Sequence, residues 1–404
     1  MVNKTKFSSY KINDLVKGCK YCVLGEKSVL FITGLCKRNC FYCPLPESRK
    51  NIDAVWINER KLSNVNAIKE AIEEIQLCGS KGVGITGGDP LIVLERTVKF
   101  VKTLKKKFGK KFHIHIYLPT EQLTREKLER LAASGIDEIR FHPNFLNFSE
   151  DERRKLDLAL DLKKKYGWKV GVEIPVLPGT EKPLIDFIKQ IPDLDFLNLN
   201  ELEMAMINIP ILYNKGFRTV ENSNAVKGSN ETALKVLNSI GKTKLLVHYC
   251  TARTKDAFQY CNRLKRRLKN AKKPYDLITE DNDLYRGAIY SEIKPGFGYK
   301  KRLESILCNK KGSQIIRGLT SLRKELIAQY KIPSNLIEID KERLRILTSV
   351  EVVEELKDEI KKFNMNFRML KMRSHFDIKK KGFYPALVTE IPAYDLPILQ
   401  LEWL

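Results

Sequence analysis

Short apolar runs alternate with amphipathic stretches between Val29 and Cys250. Apolar runs that end at turn residues predict buried strands, and apolar positions that recur every three or four residues predict helices. The predicted strands are Val29–Leu35, Gly82–Gly88, His113–Leu118, Asp137–His142, Lys169–Val176 and Phe196–Leu202, with a further strand at Leu245–His248. The predicted helices are Asn66–Cys78, Leu91–Phe108, Thr124–Ser134, one that opens at Ser149, Pro183–Gln190 and Glu231–Ile240.

These elements form six βα units in series, which is the pattern of an α/β protein. Parallel strands joined by right-handed helical crossovers are the expected arrangement. We therefore predict a curved parallel sheet or partial barrel, with the chemistry at the carboxyl ends of its strands.

The sequence changes character after the last of these strands. Asn262–Lys273 is rich in basic residues, and from Pro274 onward we predict a smaller α+β domain. Its predicted elements are strands at Leu336–Ile339, Leu344–Thr348 and Phe367–Met372 and a helix at Val350–Phe363. The predicted division is an N-terminal extension (1–27), a barrel with the basic helix (28–273) and a C-terminal substrate-binding domain (274–404).

The chain carries a formal net charge of +24, from 73 Lys and Arg against 49 Asp and Glu. Such an excess favours polyanionic partners, and nucleic acid is the first candidate. Balanced ion pairs on a thermophile surface would not absorb the excess. Asn262–Lys273 and Lys361–Tyr384, where basic and aromatic residues interleave, are the best nucleic-acid signals.

Several classes of protein are disfavoured by the same sequence. The apolar runs are shorter than the roughly 18 residues that a membrane span requires. The first residues lack the apolar stretch of a secretory signal, so we predict a cytoplasmic protein. Nine cysteines in that compartment are expected to be reduced, and clustered ones to be metal ligands or catalytic groups.

Three cysteines, Cys36, Cys40 and Cys43, follow the first predicted strand with C-x3-C-x2-C spacing. Three thiolates so close together suit an iron–sulfur cluster and leave one iron of a 4Fe–4S cube open to another ligand. Zinc is the alternative, but a structural zinc site normally closes with four ligands.

This loop resembles the defining motif of the radical S-adenosylmethionine (radical SAM) superfamily, with Tyr42 in the motif's aromatic position. The resemblance implies that the open iron binds S-adenosylmethionine and that its cleavage gives a 5′-deoxyadenosyl radical, with backbone near Tyr42 contacting the adenine. Gly87-Gly88-Asp89-Pro90 resembles the family's GGEP motif, which seats the methionine amino group. Asp89 is one methylene shorter than the usual glutamate, which leaves its own contact open.

The resemblance covers about Val29–Cys250 and implies a six-unit partial barrel. By position, Arg140, His142 and Glu173 are candidates to contact the ribose or carboxylate of S-adenosylmethionine, with core roles as the alternative. Lys17–Pro46 and the segment around Gly87 resemble an archaeal, largely uncharacterised group related to pyruvate formate-lyase activating enzymes.

Cys19 and Cys22 form a C-x2-C pair before the first strand, and Cys250 ends the last predicted strand. If the barrel brings its first and last strands together, these thiols share a metal, either a second iron–sulfur cluster or zinc. His248 or Cys261 would be the fourth ligand. A redox pair and ordinary packing are the alternatives.

Candidate substrate contacts lie on two strands. His113 and His115 alternate on the third strand and therefore share one face. Asn198, Asn200 and Glu201 end the sixth strand, where polar groups favour a substrate-facing role. A satisfied polar pair within the sheet is the alternative for the two histidines.

The leading prediction is a radical SAM enzyme that modifies RNA, most simply tRNA, by methylation, sulfur insertion or carbon–carbon bond formation. The C-terminal domain would grip the RNA, and a reductant such as ferredoxin would supply the electron. The alternative is a protein-modifying or glycyl-radical-activating enzyme. A non-catalytic nucleic-acid-binding module would require zinc in the Cys36 loop.

Overall fold

A computed structural model of the protein describes residues 1–279, 284–290, 293, 298–362 and 366–372. The described residues separate into two compact units, Met1–Arg267 and the residues from Leu268 onward. Of the basic and aromatic stretch Lys361–Tyr384, the structure describes the backbone of residues 361–362 and 366–372, and the rest lies outside the described residues.

The first unit is built on one sheet of eleven strands. Its strands are β1 Asn3–Lys4, β2 Tyr10–Ile12, β3 Lys27–Phe31, β4 Trp56–Ile57, β5 Arg60–Lys61, β6 Gly82–Thr86, β7 His113–Pro119, β8 Glu138–His142, β9 Lys169–Val176, β10 Phe196–Glu201 and β11 Leu246–Cys250. The spatial order is β1-β2-β11-β10-β9-β8-β7-β6-β3-β4-β5.

The strands from β3 through β6–β11 are mutually parallel, so the described sheet has seven parallel strands where the sequence predicts six βα units. The seventh is β11, which the sequence indicates only as a further strand. Antiparallel pairs flank both ends, because β2 pairs with β11 and β4 pairs with β3. Residues of the predicted N-terminal extension therefore join the same sheet.

The helices of the first unit mostly connect the parallel strands and cover one face of the sheet. They are α1 Lys17–Val23, α2 Ile68–Leu77, α3 Leu94–Phe108, α4 Arg125–Ser134, α5 Glu150–Tyr166, α6 Glu181–Lys189, α7 Ile209–Asn214, α8 Ser229–Ile240 and α9 Cys261–Ala271, with a 3-10 turn at Phe145–Asn147 and a π-helix at Thr254–Tyr260. The hydroxyls of Thr124 and Ser149 cap α4 and α5 by accepting backbone N–H bonds. The division between the two units falls within α9.

Alternation along the strands gives the sheet one apolar and one polar face. On β7, Ile114, Ile116 and Leu118 are fully buried in the main hydrophobic core. The intervening His113 and His115 point to the other face, which is also buried but polar.

Helix α1 lies on the polar face and shows that the sheet curls around it. The Gly18 backbone N–H donates to Glu138 of β8 at 3.1 Å, and the Cys19 thiol lies 3.3 Å from the Asn198 amide on β10. A Cβ on Gly18 would sit 2.5 Å from the Arg140 guanidinium and 2.8 Å from His115. A single helix reaches β7, β8 and β10 only if those strands wrap around it, as in a partial barrel.

The second unit is an α+β fold with an antiparallel sheet. Its elements are β12 Leu277–Ile278, β13 Leu284–Tyr290, α10 Tyr299–Leu307, α11 Lys310–Tyr330, a 3-10 turn at Ser334–Leu336, β14 Ile337–Asp340, β15 Arg345–Thr348, α12 Val350–Glu355, α13 Lys357–Lys362 and β16 Asn366–Met372. The order is β12-β13-β15-β14, and β16 pairs with β13. Leu326, Ile346 and Val353 lie in its core.

The helix that the sequence predicts at Val350–Phe363 is divided here into α12 and α13. None of the helices within the described ranges has both the length and the apolar character that a bilayer-crossing segment needs.

Candidate active site

The cysteine loop begins at the carboxyl end of β3 and is fastened to the turn that follows β6. The backbone N–H of Gly88 donates to the Thr33 carbonyl at 2.8 Å, and that of Asp89 donates to Leu35 at 2.7 Å. Gly87 has φ +136°, and a Cβ on Gly88 would lie 2.2 Å from the Leu35 carbonyl oxygen. Both positions therefore need glycine, and the two motifs are one structural unit.

The thiols of Cys36, Cys40 and Cys43 are all partly buried on this loop, and none forms a disulfide. Burial raises the pKa of Cys36, and the neighbouring Asp89, Cys40 and Cys43 add to the rise. Across the described ranges, no three His, Cys, Asp or Glu side chains are spaced as a metal-ligand group. The donor set itself, three soft thiols on one short loop, fits a 4Fe–4S cluster with one open iron.

Tyr42 is held by His142, at the end of β8. The Tyr42 hydroxyl lies 3.0 Å from His142 Nε2, and His142 Nδ1 lies 2.9 Å from the Glu173 carbonyl oxygen. A carbonyl can only accept, so Nδ1 carries the proton and Nε2 accepts from Tyr42. Burial lowers the pKa of His142 to about 4, which keeps this ring neutral.

Arg38 forms a second link between the loop and β8. Its Nη1 donates to the His142 carbonyl, and its Nε lies 3.3 Å from Glu121. Burial raises the pKa of the Cys40 thiol, and the Arg38 guanidinium only partly offsets that rise.

Asp89 uses one carboxylate oxygen within its own turn. Its Oδ1 accepts the backbone N–H of Leu91 at 2.9 Å, and the side chain is buried. Burial raises its pKa to about 6. The Pro90 carbonyl accepts from the Thr97 hydroxyl at 2.9 Å, which ties the turn to α3.

Arg140 lies at the centre of the polar face and is 2% exposed. Its Nε donates to Glu138 at 2.7 Å, and its Nη1 donates to Glu173 at 2.7 Å and to the Tyr117 hydroxyl at 3.1 Å. Its Nη2 lies 3.5 Å from the Cys19 sulfur. Side chains of the protein thus engage each nitrogen of the guanidinium, which favours the core role over a direct contact with S-adenosylmethionine.

Glu173 joins this arginine to the end of β10. Asn198 and Asn200 share a face, and each donates to the Glu173 carboxylate at 2.9 Å. Burial pushes the Glu173 pKa upward, but Arg140 and the two amides outweigh it and leave the pKa lowered. Glu201 faces elsewhere and accepts the backbone N–H of Ala252 at 2.8 Å.

His113 and His115 face the same polar side, as the alternation predicts. Lys27 donates from Nζ to the His113 carbonyl at 2.9 Å and lies 2.9 Å from His113 Nδ1. Burial lowers the pKa of His113 to about 2, so this ring is neutral. His115 Nδ1 is buried without a hydrogen-bond partner.

Comparison with known proteins identifies the family. The radical SAM superfamily model matches residues 30–191. A protein of Methanocaldococcus jannaschii, provisionally named a glycyl-radical enzyme activating enzyme, is 46% identical over 289 residues, which cover 70% of this chain and 76% of the relative. The chain belongs to the radical SAM superfamily. It is a radical SAM enzyme whose cofactors are a 4Fe–4S cluster and S-adenosylmethionine.

Solved radical SAM structures overlap the chain only in part. Streptococcus suis SuiB bound to S-adenosylmethionine is 14% identical with a TM-score of 0.36, over 56% of this chain and 50% of SuiB. The methyltransferase TsrM of Kitasatospora setae is 14% identical with a TM-score of 0.34, over 64% of this chain and 54% of TsrM. The chain thus spans about half the length of each.

Some residues of this radical SAM site were missed by the sequence analysis. Lys27 lies on the polar face, before the start of the strand predicted at Val29. Tyr117 and Glu138 also lie there, two positions along their strands from His115 and Arg140. The period of two was the available signal. Asn208 was also missed, because it lies in an irregular segment after β10.

Asn208 joins that segment to the cysteine loop. Its Nδ2 donates to the Tyr42 carbonyl at 3.1 Å and lies 3.3 Å from the Glu203 carbonyl, and its Oδ1 accepts from Ala205 at 2.8 Å. The side chain is 1% exposed. Tyr42 is therefore held at its hydroxyl by β8 and at its carbonyl by the residues that follow β10.

The structure corrects one part of the interpretation of the basic helix, α9. The Arg263 guanidinium pairs with Glu59, and Arg267 pairs with Glu74 at 2.9 Å. Arg266 donates to the Gly79 carbonyl at 2.6 Å. These contacts engage the three arginines within the first unit, whereas Lys265, Lys269, Lys272 and Lys273 of the same basic stretch are exposed.

The structure separates Cys261 from the other cysteines proposed for a second metal site. Cys19 lies inside the curled sheet, whereas Cys261 begins α9 and its thiol donates to the Asp256 carbonyl at 3.0 Å. Cys250 ends β11 on the polar face, and its sulfur accepts from Gln259 at 3.3 Å.

Proposed function

We propose that this radical SAM protein is an activating enzyme that removes a hydrogen atom from a glycine residue of a partner protein. The observation that carries the proposal is the 46% identity to the M. jannaschii protein over 289 residues. This replaces RNA as the leading substrate and takes up the alternative that the sequence left open.

We further propose that Cys36, Cys40 and Cys43 hold the cluster. When bound, the reduced cluster and S-adenosylmethionine supply a 5′-deoxyadenosyl radical, which takes a hydrogen atom from the substrate. A reductant such as ferredoxin would provide the electron. The Gly88 and Asp89 backbone bonds fix where the loop starts, and Arg38 and Tyr42 fix its two flanks against β8.

The surface chemistry next to this loop supports a protein partner. Residues 203–228, the segment after β10, expose apolar side chains that a hydrophilic substrate would not cover. These are Met206, Ile211, Tyr213 and Val220, each between 42% and 59% exposed. A contiguous apolar patch is typical of protein interaction sites, and we propose that these four side chains form one. Asn208 anchors this segment to Tyr42, which links the surface to the loop.

The evidence for RNA is correspondingly reduced. Arg263, Arg266 and Arg267 are engaged within the first unit. Much of the other basic stretch lies outside the described residues. The net charge of +24 remains, and it suits an acidic protein partner as well as a nucleic acid.

A deletion strain compared with its parent tests the choice of substrate. Anaerobic cells of the parent should show the doublet signal of a glycyl radical in electron paramagnetic resonance spectra, and the deletion strain should lack it. Complementation with the wild-type gene should restore the signal, and a Cys40→Ala gene should not.

Nucleosides from total RNA of the same strains are measured by mass spectrometry. The proposal requires the two profiles to be identical. A nucleoside that disappears from the deletion strain, with no change in the glycyl-radical signal, would overturn it in favour of RNA modification.

A further inference from the structure

Helix α1 places two thiols inside the curled sheet. Cys19 and Cys22 are three positions apart and lie on the same side of the helix. The Cys19 sulfur is within 3.3 Å of the Asn198 amide and 3.5 Å of Arg140 Nη2. Two N–H donors therefore point at one sulfur, and such donors would stabilise a metal-bound thiolate, because a thiolate accepts hydrogen bonds more strongly than a thiol.

Strand β11 presents two further donors to the same space. His248 and Cys250 alternate on the strand and therefore share a face. In the parallel register His248 lies beside Asn198, and Cys250 lies beside Asn200. Asn198 donates to the Cys19 sulfur, so it connects the strand position beside His248 to α1.

One ring nitrogen of His248 is buried without a hydrogen-bond partner. The residue is 2% exposed, and its Nε2 has no hydrogen-bond partner. An unpaired buried nitrogen costs about 1–3 kcal/mol, so its presence calls for a function. Cys250 lies two positions further along the same strand and is 6% exposed.

We propose that Cys19, Cys22, His248 and Cys250 hold a thiophilic metal centre separate from the Cys36 loop. Three sulfurs and one imidazole nitrogen are a common tetrahedral zinc set, and cysteine with histidine also binds iron–sulfur clusters. Within the described ranges neither this set nor the Cys36 loop is spaced as a ligand group, so binding of a metal would require the four side chains to move closer together. Cys261 is excluded, because its thiol is directed to Asp256.

The test begins with a full-length variant that lacks the other cysteine site, Cys36→Ala/Cys40→Ala/Cys43→Ala. Purified anaerobically, it should retain about one zinc ion, or about four iron atoms with sulfide, per chain by plasma mass spectrometry. Adding Cys22→Ser or Cys250→Ser should lower that content at least tenfold. Adding Cys261→Ala, the matched control, should leave it unchanged.

A spectrum of the triple variant shows whether the metal is bound by the proposed ligands. A properly formed site in that variant means that a later loss of metal is not caused by misfolding from the three Cys→Ala changes. If the metal is zinc, X-ray absorption should show three sulfur and one nitrogen neighbours, and Co²⁺ exchanged into the site should give a thiolate charge-transfer band. If the metal is iron, Mössbauer spectroscopy should show a cluster. No metal in the triple variant, or full metal content after Cys22→Ser or Cys250→Ser, would overturn the proposal. The assay uses no substrate, so its outcome is independent of the proposed function.

Discussion

The Tyr42 hydroxyl donates to His142 Nε2 at 3.0 Å, and this bond joins the cysteine loop to the end of β8. The histidine is fixed in turn by the Glu173 carbonyl, which receives its Nδ1 proton. The position of the aromatic residue in the motif is therefore set by residues about a hundred positions away in the chain.

His142 should make the first unit sensitive to acid. Burial lowers its pKa to about 4, below the roughly 6.5 of an unfolded histidine. The contribution of His142 to the free energy of unfolding is complete above pH 6.5 and is lost as the pH falls from there through 4. The reason is that the histidine of the unfolded chain takes up a proton at a higher pH than the buried ring does. Since the ring keeps some exposure, we expect about 1 kcal/mol less unfolding free energy at pH 5 than at pH 7 from this residue.

Urea unfolding of wild type and His142→Gln at the two pH values measures that contribution. The variant should be less stable at pH 7 but should lose less stability on acidification. Equal slopes for the two proteins would show that His142 does not titrate in this range.

Gly88→Ala should break the contact between the cysteine loop and the Gly87–Pro90 turn. The new Cβ would meet the Leu35 carbonyl oxygen at 2.2 Å, so the two backbone bonds between the motifs could not persist. We expect iron content and binding of S-adenosylmethionine to fall at least tenfold. Gly318→Ala is the control, because nothing lies within 4 Å of its added Cβ. A Gly88→Ala protein with full iron content would contradict the close approach.

Asn208 should act on S-adenosylmethionine through Tyr42. Asn208→Asp keeps the oxygen that accepts from Ala205 but places a second acceptor against the Tyr42 carbonyl. We expect KM for S-adenosylmethionine to rise about tenfold with a smaller change in kcat, since each lost hydrogen bond is worth about 1 kcal/mol. Asn214→Asp on the exposed side of α7 should change neither constant, and an unchanged KM in Asn208→Asp would refute the link.

The cysteine loop and the Gly87–Pro90 turn could be predicted from sequence because each is a local pattern. The strands could be predicted because a period of two or a continuous apolar run marks them. The polar interior was harder to predict. A charged residue such as Glu138 within a strand resembles a solvent-facing position until the helix that covers it is known. That helix, α1, comes from a segment that the sequence presents as an extension.

The internal partners of three arginines in the basic helix could not be predicted for a similar reason. Arg263, Arg266 and Arg267 recur every three or four residues, which is the pattern of a cationic face. Their partners Glu59 and Glu74 lie roughly two hundred positions earlier in the chain, and no local signal connects them. Distant ion pairs of this kind become visible only in the fold.

Arg267→Met should therefore destabilise the protein rather than weaken RNA binding. Removing one partner of a buried pair leaves Glu74 without its charge partner and costs about 3 kcal/mol. Lys269→Met, at an exposed position of the same helix, should cost less than about 0.5 kcal/mol. Chemical unfolding of both variants measures the difference, and equal stabilities would restore the interpretation of this helix as a free cationic surface.

Production of 5′-deoxyadenosine tests the central claim, that the loop of Cys36, Cys40 and Cys43 is the radical-generating site. The anaerobically reconstituted protein is incubated with S-adenosylmethionine and dithionite, and the nucleoside is quantified by mass spectrometry. The wild-type protein should form it, and Cys40→Ala should reduce it to the level of a protein-free control while Cys308→Ala has no effect. Formation of 5′-deoxyadenosine by Cys40→Ala at the wild-type rate would contradict the account.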